Sequence, residues 1–253
     1  MHNGMYWRHV FRDSFVKEIR AFHDVTLRRF LPTFDNLEAE ADAVTAAEYE
    51  RLGQCSGGDG DSGYDMADAA EDAHEEGLEH YQRLTSVRQG LLNLVATGLY
   101  HLFEQQAGTF TRRQLLTVHE ERNEAFMRPL FKGSRMMAEM NARLLKEGID
   151  PSQLPTWHKV DELRLVANTI KHGPGGSAQD LYALAPLLFT SPDFRPGMPF
   201  ADMGLRRLAS APKMPRVDRP LGGEDIYITA EELTAYCESL VAFWHDLGDA
   251  IAN

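Results

Sequence analysis

The segment Asp161-Glu-Leu-Arg164-Leu-Val-Ala-Asn168-Thr-Ile-Lys171-His172-Gly173 concentrates residue types that handle anions. At about 100° per residue on a helix, Leu163, Val166, Ala167 and Ile170 fall on one apolar side. Arg164, Asn168 and His172 recur every four residues and form a polar stripe away from that side, with Lys171 beside it. A guanidinium can bind two phosphate oxygens at once. An imidazole, with an ordinary pKa of about 6.5, exchanges protons near neutral pH. The stripe is therefore a candidate phosphate-handling surface. The same residues also carry a purely structural reading. Cationic side chains in a last helical turn bind its carbonyls and oppose its dipole, and Asn168 can bond along the helix.

Other candidates are more dispersed. Arg206, Arg207, Lys213, Arg216 and Arg219 share a stretch with a single acid, Asp218, and could follow a phosphate backbone; the alternative is an ordinary solvated loop. Glu71-x-x-His74 has the ligand spacing of di-iron bundles, and His101 with Glu104 and His119 with Glu120 are further ligand types. No second copy of the Glu-x-x-His spacing appears on another helix. Asp59 and Asp61 begin like a calcium loop, but Tyr64 and Ala70 stand where glycine and a bidentate glutamate are needed. Cys55 and Cys237 are too few for a disulfide scaffold or a thiolate zinc site. Gly173-Pro-Gly-Gly176 lacks the lysine and hydroxyl of a P-loop. The expected site thus needs no cofactor and no metal.

These residues must be positioned by helices. Phe15, Ile19, Phe22 and Leu27 are roughly helically spaced in a segment ending at Leu31-Pro32. From residue 53 to 76 the composition changes: Cys55 to Gly63 reads as a flexible linker, and the acids from Asp59 to Glu76 as a solvated acidic loop. Leu84, Val87, Leu91, Leu94, Val95, Leu99 and Leu102 predict an amphipathic helix from about Ala70 to Gln106, ended by Gly108. Thr111-Arg-Arg-Gln114 has the form of a capping box opening a third helix. Arg135 to Glu147, closed by Gly148 and Pro151, and Trp157 to His172, closed by Gly173-Pro, are further helices. Residues 184–223 form an irregular Pro/Gly-rich excursion, and Asp225 to Thr229 reads as a short strand or a lead-in. Thr229 to Glu232 is a second capping box, before a stripe of Leu233, Cys237, Leu240, Trp244, Leu247 and Ile251.

The expected fold is all-α, an antiparallel helical bundle with long irregular loops. Composition divides it into residues 1–69, an N-terminal helical region with the acidic linker, and residues 70–253, the bundle. Hydrophobic residues make up 43% of the 253, enough for a substantial core. No run approaches the roughly 20 apolar residues of a membrane span, and the polar, aromatic start has no apolar signal core. A cytoplasmic protein without membrane contact is expected. A net charge of −12 argues against a whole surface built for unspecific nucleic-acid binding, though not against a local basic site.

Leu163-Arg-Leu-Val-Ala-Asn-Thr-Ile-Lys-His-Gly173 resembles the late-helix motif of the HEPN superfamily, the higher eukaryotes and prokaryotes nucleotide-binding helical domains. The resemblance implies a helical bundle over about residues 70–253. Many members are metal-independent ribonucleases of phage-defence, toxin–antitoxin and stress systems; others are non-catalytic partners. It implies catalytic roles for Arg164, His172 and Asn168, with phosphate contacts from Lys171. Histidine would remove a 2′-hydroxyl proton or protonate the leaving 5′-oxygen, and arginine would stabilise charge on the pentavalent phosphate. Seven residues separate Arg164 from His172, a longer interval than the family's pattern, and about 12 Å of helix axis lies between their Cα atoms. The alternative match, Asn168-Thr-Ile-Lys-His172, places Ala167 at the arginine position. A homodimer, in which Arg164 of one chain meets His172 of the other, is the arrangement the resemblance implies. RNA or a nucleotide is the expected ligand, with an antitoxin or defence component as a further partner. The competing readings are a non-catalytic dimerisation module and a metal-dependent bundle enzyme.

Overall fold

A computed structural model describes residues 3–55, 66–131, 135–196 and 221–252, and among them there are helices and no β-strand. The expected all-α class is what is found. In order these are α1 (Gly4–Val10), α2 (Val16–Val25), α3 (Leu37–Cys55), α4 (Met66–Phe110), α5 (Val118–Arg122), α6 (Glu124–Leu130), α7 (Arg135–Lys146), α8 (Trp157–His172), α9 (Gly176–Leu184) and α10 (Ala230–Ala252). Contacts divide the chain into Met1–Asp24 with Leu92–Asn253, and Val25–Leu91, whereas the composition shift falls at residues 69 and 70.

In the larger unit, neighbouring helices run antiparallel. Arg8 pairs with Asp249 at 2.8 Å, Phe11 stacks on Trp244 at 4.6 Å, and Arg20 reaches Glu238 at 3.2 Å, which fixes α1 and α2 against α10. Gln106 of α4 bonds Phe15 and Glu18 while Gly98 abuts Phe22, so α4 opposes α2. Trp157 meets Phe243, and Glu162 meets Tyr236, so α8 opposes α10. At the centre, Trp7, Phe11, Phe15, Phe103, Phe110 and Trp244 form a web of ring contacts at 4.6–6.5 Å. Each aromatic pair adds about 0.5–1.5 kcal/mol beyond burial.

The N-terminal core positions are Trp7, Phe11, Phe15, Ile19 and His23, all buried at a strict four-residue interval. Four residues of α-helix overshoot a full turn by about 40°, so five such positions would spiral off one face. A π-helical segment at Phe11–Phe15 between α1 and α2 widens the turn and resets the phase. Phe22, expected inside, is 38% exposed for this reason. A second π segment, Thr26–Phe30, precedes a 3-10 turn at Leu31–Phe34, where Pro32 occupies the first turn.

Helix α4 also departs from expectation. It passes through Gly108 to Phe110 and continues as a π segment, Thr111–Leu115. Phe110 is fully buried, and that packing outweighs the roughly 1 kcal/mol cost of a helical glycine. Thr111 is therefore not a cap; its hydroxyl donates to the Ala107 carbonyl at 2.7 Å inside the helix. The chain breaks at Leu116, and the capping box is Thr117 with Glu120, opening α5. The core face of α4 in this unit is Leu92, Val95, Ala96, Leu99, Tyr100, Phe103, Ala107 and Phe110, while Leu94 is 65% exposed. Leu116, Met127 and Leu130 make a satellite core, against which Phe126 and Met136 pack.

The acidic loop reading fails from Met66 onward, where α4 has already begun, and the expected third helix is broken at Leu116 and Asn123. Other signals hold. Gly148, at φ +82°, closes α7, and the Thr229–Glu232 box caps α10 with bonds of 2.8 and 3.2 Å. All six expected stripe residues of α10 are buried. Residues 226–229 are an extended lead-in, with the Tyr227 amide donating to the Leu188 carbonyl at 2.7 Å. In the smaller unit, α3 and α4 pack closely and antiparallel: a Cβ on Gly77 would lie 2.0 Å from the Thr45 hydroxyl, and His80 faces Glu40. Among the described residues, no helix is long and apolar enough to cross a membrane. Asp59, Asp61 and Tyr64 lie outside the described residues.

Candidate functional site

Helix α8 has the bounds its sequence predicts, Trp157 to His172, because Gly173 turns the chain at φ +68° and Pro174 follows. Leu163, Val166 and Ala167 face the core as expected, but Leu165 and Thr169 are buried too. The helix is thus enclosed on more than one side. Glu162 is also buried; one of its carboxylate oxygens accepts from Lys159 Nζ at 2.6 Å and from the Tyr236 hydroxyl at 2.7 Å. The ammonium also sits 4.9 Å from the centre of the Tyr236 ring. Burial and that carboxylate push the Tyr236 hydroxyl far above its ordinary pKa, so it stays a donor. This knot fastens α8 to α10.

The expected polar stripe is present as a gradient of exposure. Arg164 is one-third exposed, Asn168 is half-buried, and Lys171 and His172 are open to solvent. Arg164 Nε donates to Asp161 Oδ1 at 2.6 Å, one helical turn back. That bond is the largest cause of the raised pKa of the guanidinium, and the Asp180 carboxylate acts in the same direction. Beside it lies Tyr100, 2% exposed, whose hydroxyl bonds Glu104 and is pushed well above its ordinary pKa by burial first and by that carboxylate next. Two carboxylates, Asp161 and Asp180, therefore act on the Arg164 guanidinium. A second anion approaching there meets repulsion from like charges.

Two other partly buried arginines are engaged in the same manner. Arg143 spans Glu120, Glu139 and the Leu115 carbonyl at 2.6–3.2 Å, and the guanidinium together with the Thr117 cap holds the Glu120 carboxyl down to about 2. Arg195 donates to Glu232 at 2.8 Å and to the carbonyls of Thr190 and Tyr227, pinning the start of the Pro/Gly-rich excursion. Arg206, Arg207, Lys213, Arg216 and Arg219 lie outside the described residues.

Among the described residues, no three His, Cys, Asp or Glu side chains gather in a group able to hold a metal. Glu120, next to His119, is occupied by Arg143 and Thr117. Cys237 is 1% exposed, and burial pushes its thiol up to about 12, which removes it as a nucleophile.

Sequence reasoning missed Asp161 as the partner of Arg164, although its three-residue spacing on a helix is a pairing signal. The Tyr100–Arg164 proximity and the Glu162–Tyr236 bond join residues far apart in the chain and had no local signal. Compared with family models, with curated proteins and with solved structures, the chain matches none of them.

Proposed function

We propose that this chain is a non-catalytic, HEPN-like helical interaction module that pairs with a second copy of itself, and that the α8 stripe braces the bundle. The observation that carries this reading is the Arg164–Asp161 bond at 2.6 Å, with the Asp180 carboxylate acting on the same guanidinium. A phosphate-binding arginine needs a guanidinium edge facing an electropositive opening; here the Nε edge is taken and the neighbourhood is acidic. The RNA-cleaving role implied by the family resemblance would require a phosphate to settle on the Nη groups of Arg164 beside the Asp161 carboxylate already held by Nε. The use of Arg143 and Arg195 as internal clamps supports the same reading.

Sedimentation equilibrium over a wide range of protein concentration tests the pairing. The expected result is a monomer–dimer equilibrium that persists in Arg164→Ala and His172→Ala. A monomer at every concentration overturns the proposal.

A further inference from the structure

In the smaller unit, one apolar face of α3 lies open. We propose that it receives a basic amphipathic helix of another protein, whose apolar stripe seats on Ala39, Ala43, Ala46 and Ala47 and whose cationic flanks meet Glu40, Asp42 and Glu50.

The 19 residues of α3 bury little: among the described side chains, Leu37 is the one that is fully enclosed. The inner side of the helix, Ala41, Val44, Thr45 and Leu52, is half-buried, and Thr45 and the Ala41 carbonyl lie against Gly77 of α4. On the opposite side, Ala39, Ala43, Ala46 and Ala47 stand at i, i+4, i+7 and i+8, and all four are exposed. That spacing is the spacing of a helix face that packs. The helix propensity of alanine lets α3 form while this side stays bare. Side chains so small allow a second helix to approach closely.

Charge selects the occupant. Val25–Leu91 carries fifteen Asp and Glu against five Arg, so this unit holds ten of the twelve net negative charges of the chain. At about 100° per residue, Glu40 and Asp42 flank the alanine stripe on its two sides, and Glu50 continues it. Among the described residues, Asp42 and Glu50 enter no ion pair, and Glu40 stands 4.0 Å from His80. A second copy on this face would set these carboxylates against their own equivalents, and like charges across an interface repel. Lysine and arginine flanks remove that penalty, and the field of the acidic unit draws such a helix in. Seating one amphipathic helix on an apolar face is a recurrent mode of recognition.

Fluorescence anisotropy tests the assignment, with the 253-residue chain and a labelled synthetic helix of about six turns bearing a leucine stripe between Arg and Lys flanks. Saturable binding is expected, with affinity about tenfold lower for a peptide of the same composition in scrambled order. Ala43→Lys disturbs no buried contact and should weaken binding about tenfold, as should Asp42→Asn combined with Glu50→Gln. Glu71→Gln combined with Glu75→Gln, equally exposed but on α4, should leave it unchanged. An unchanged melting temperature certifies that the variants fold. No saturable binding, equal affinity for the scrambled peptide, or equal losses from the two carboxamide pairs overturns the proposal. Loss of self-pairing by Ala43→Lys in sedimentation also overturns it, because a second copy would then be the occupant, and self-pairing itself would stand.

Discussion

Replacing Gln106 by leucine should destabilise the larger unit by about 1–3 kcal/mol. The amide is buried and uses both ends: its oxygen accepts from Trp244 Nε1, and its nitrogen donates to the Phe15 carbonyl and to Glu18. Leucine has nearly the same length but can make none of these bonds. Glu18 is exposed and can turn to water, and the Phe15 carbonyl, inside a continuous helix, keeps its backbone bond, whereas the buried Trp244 N–H is left without a partner. Each orphaned buried group costs about 1–3 kcal/mol, partly offset by the apolar side chain. Urea denaturation followed by far-UV circular dichroism measures the cost. The decisive comparison is the same substitution in a Trp244→Phe background, where the indole donor is already gone. There the penalty should fall by about 1–2 kcal/mol. An equal penalty in the two backgrounds, or a cost below about 0.5 kcal/mol in the wild type, would refute the reasoning.

Arg143→Ala should cost about 1–2 kcal/mol in the same denaturation assay, because it frees Glu120, Glu139 and the Leu115 carbonyl together. The Glu120 carboxyl, held at about 2 against an ordinary value of 4.5, contributes stability that is fully present above pH 4.5 and is lost as pH falls toward 2. The wild type should therefore lose stability over that window more steeply than Arg143→Ala, and parallel acid titrations would contradict the pairing. Under native conditions at mildly alkaline pH, iodoacetamide should leave Cys237 unmodified as read by peptide mass mapping, since the thiol is buried and its pKa is raised to about 12. Alkylation at the rate of a free thiol would show that α10 opens readily. Gly173→Ala should lower stability by roughly 1 kcal/mol, because the chain reverses there at φ +68°.

Much of the bundle is legible where a local rule decides it. Gly148 and Gly173 end α7 and α8, the Thr229–Glu232 pair opens α10, and the apolar stripe of α10 is the buried one. The reading departs from the structure where packing overrides local preference. Gly108 looks like a terminator, yet the burial of Phe110 carries the helix past it. The run from Trp7 to His23 has a four-residue interval that no single α-helix keeps on one face, and only the π-helical turn at Phe11–Phe15 makes it a core. In the candidate site, the polar stripe of α8 was visible from its spacing. What surrounds Arg164 was not, because Tyr100 and Asp180 arrive from other helices.

Incubation of single-stranded and structured RNA with the 253-residue chain in EDTA bears most directly on whether Arg164 serves the bundle or a phosphate. The expected result is no cleavage above the buffer rate, alike for wild type, Arg164→Ala and His172→Ala. EDTA-resistant cleavage by the wild type that disappears in both folded variants would contradict it, and would mean that Arg164 takes up a phosphate despite its bond to Asp161.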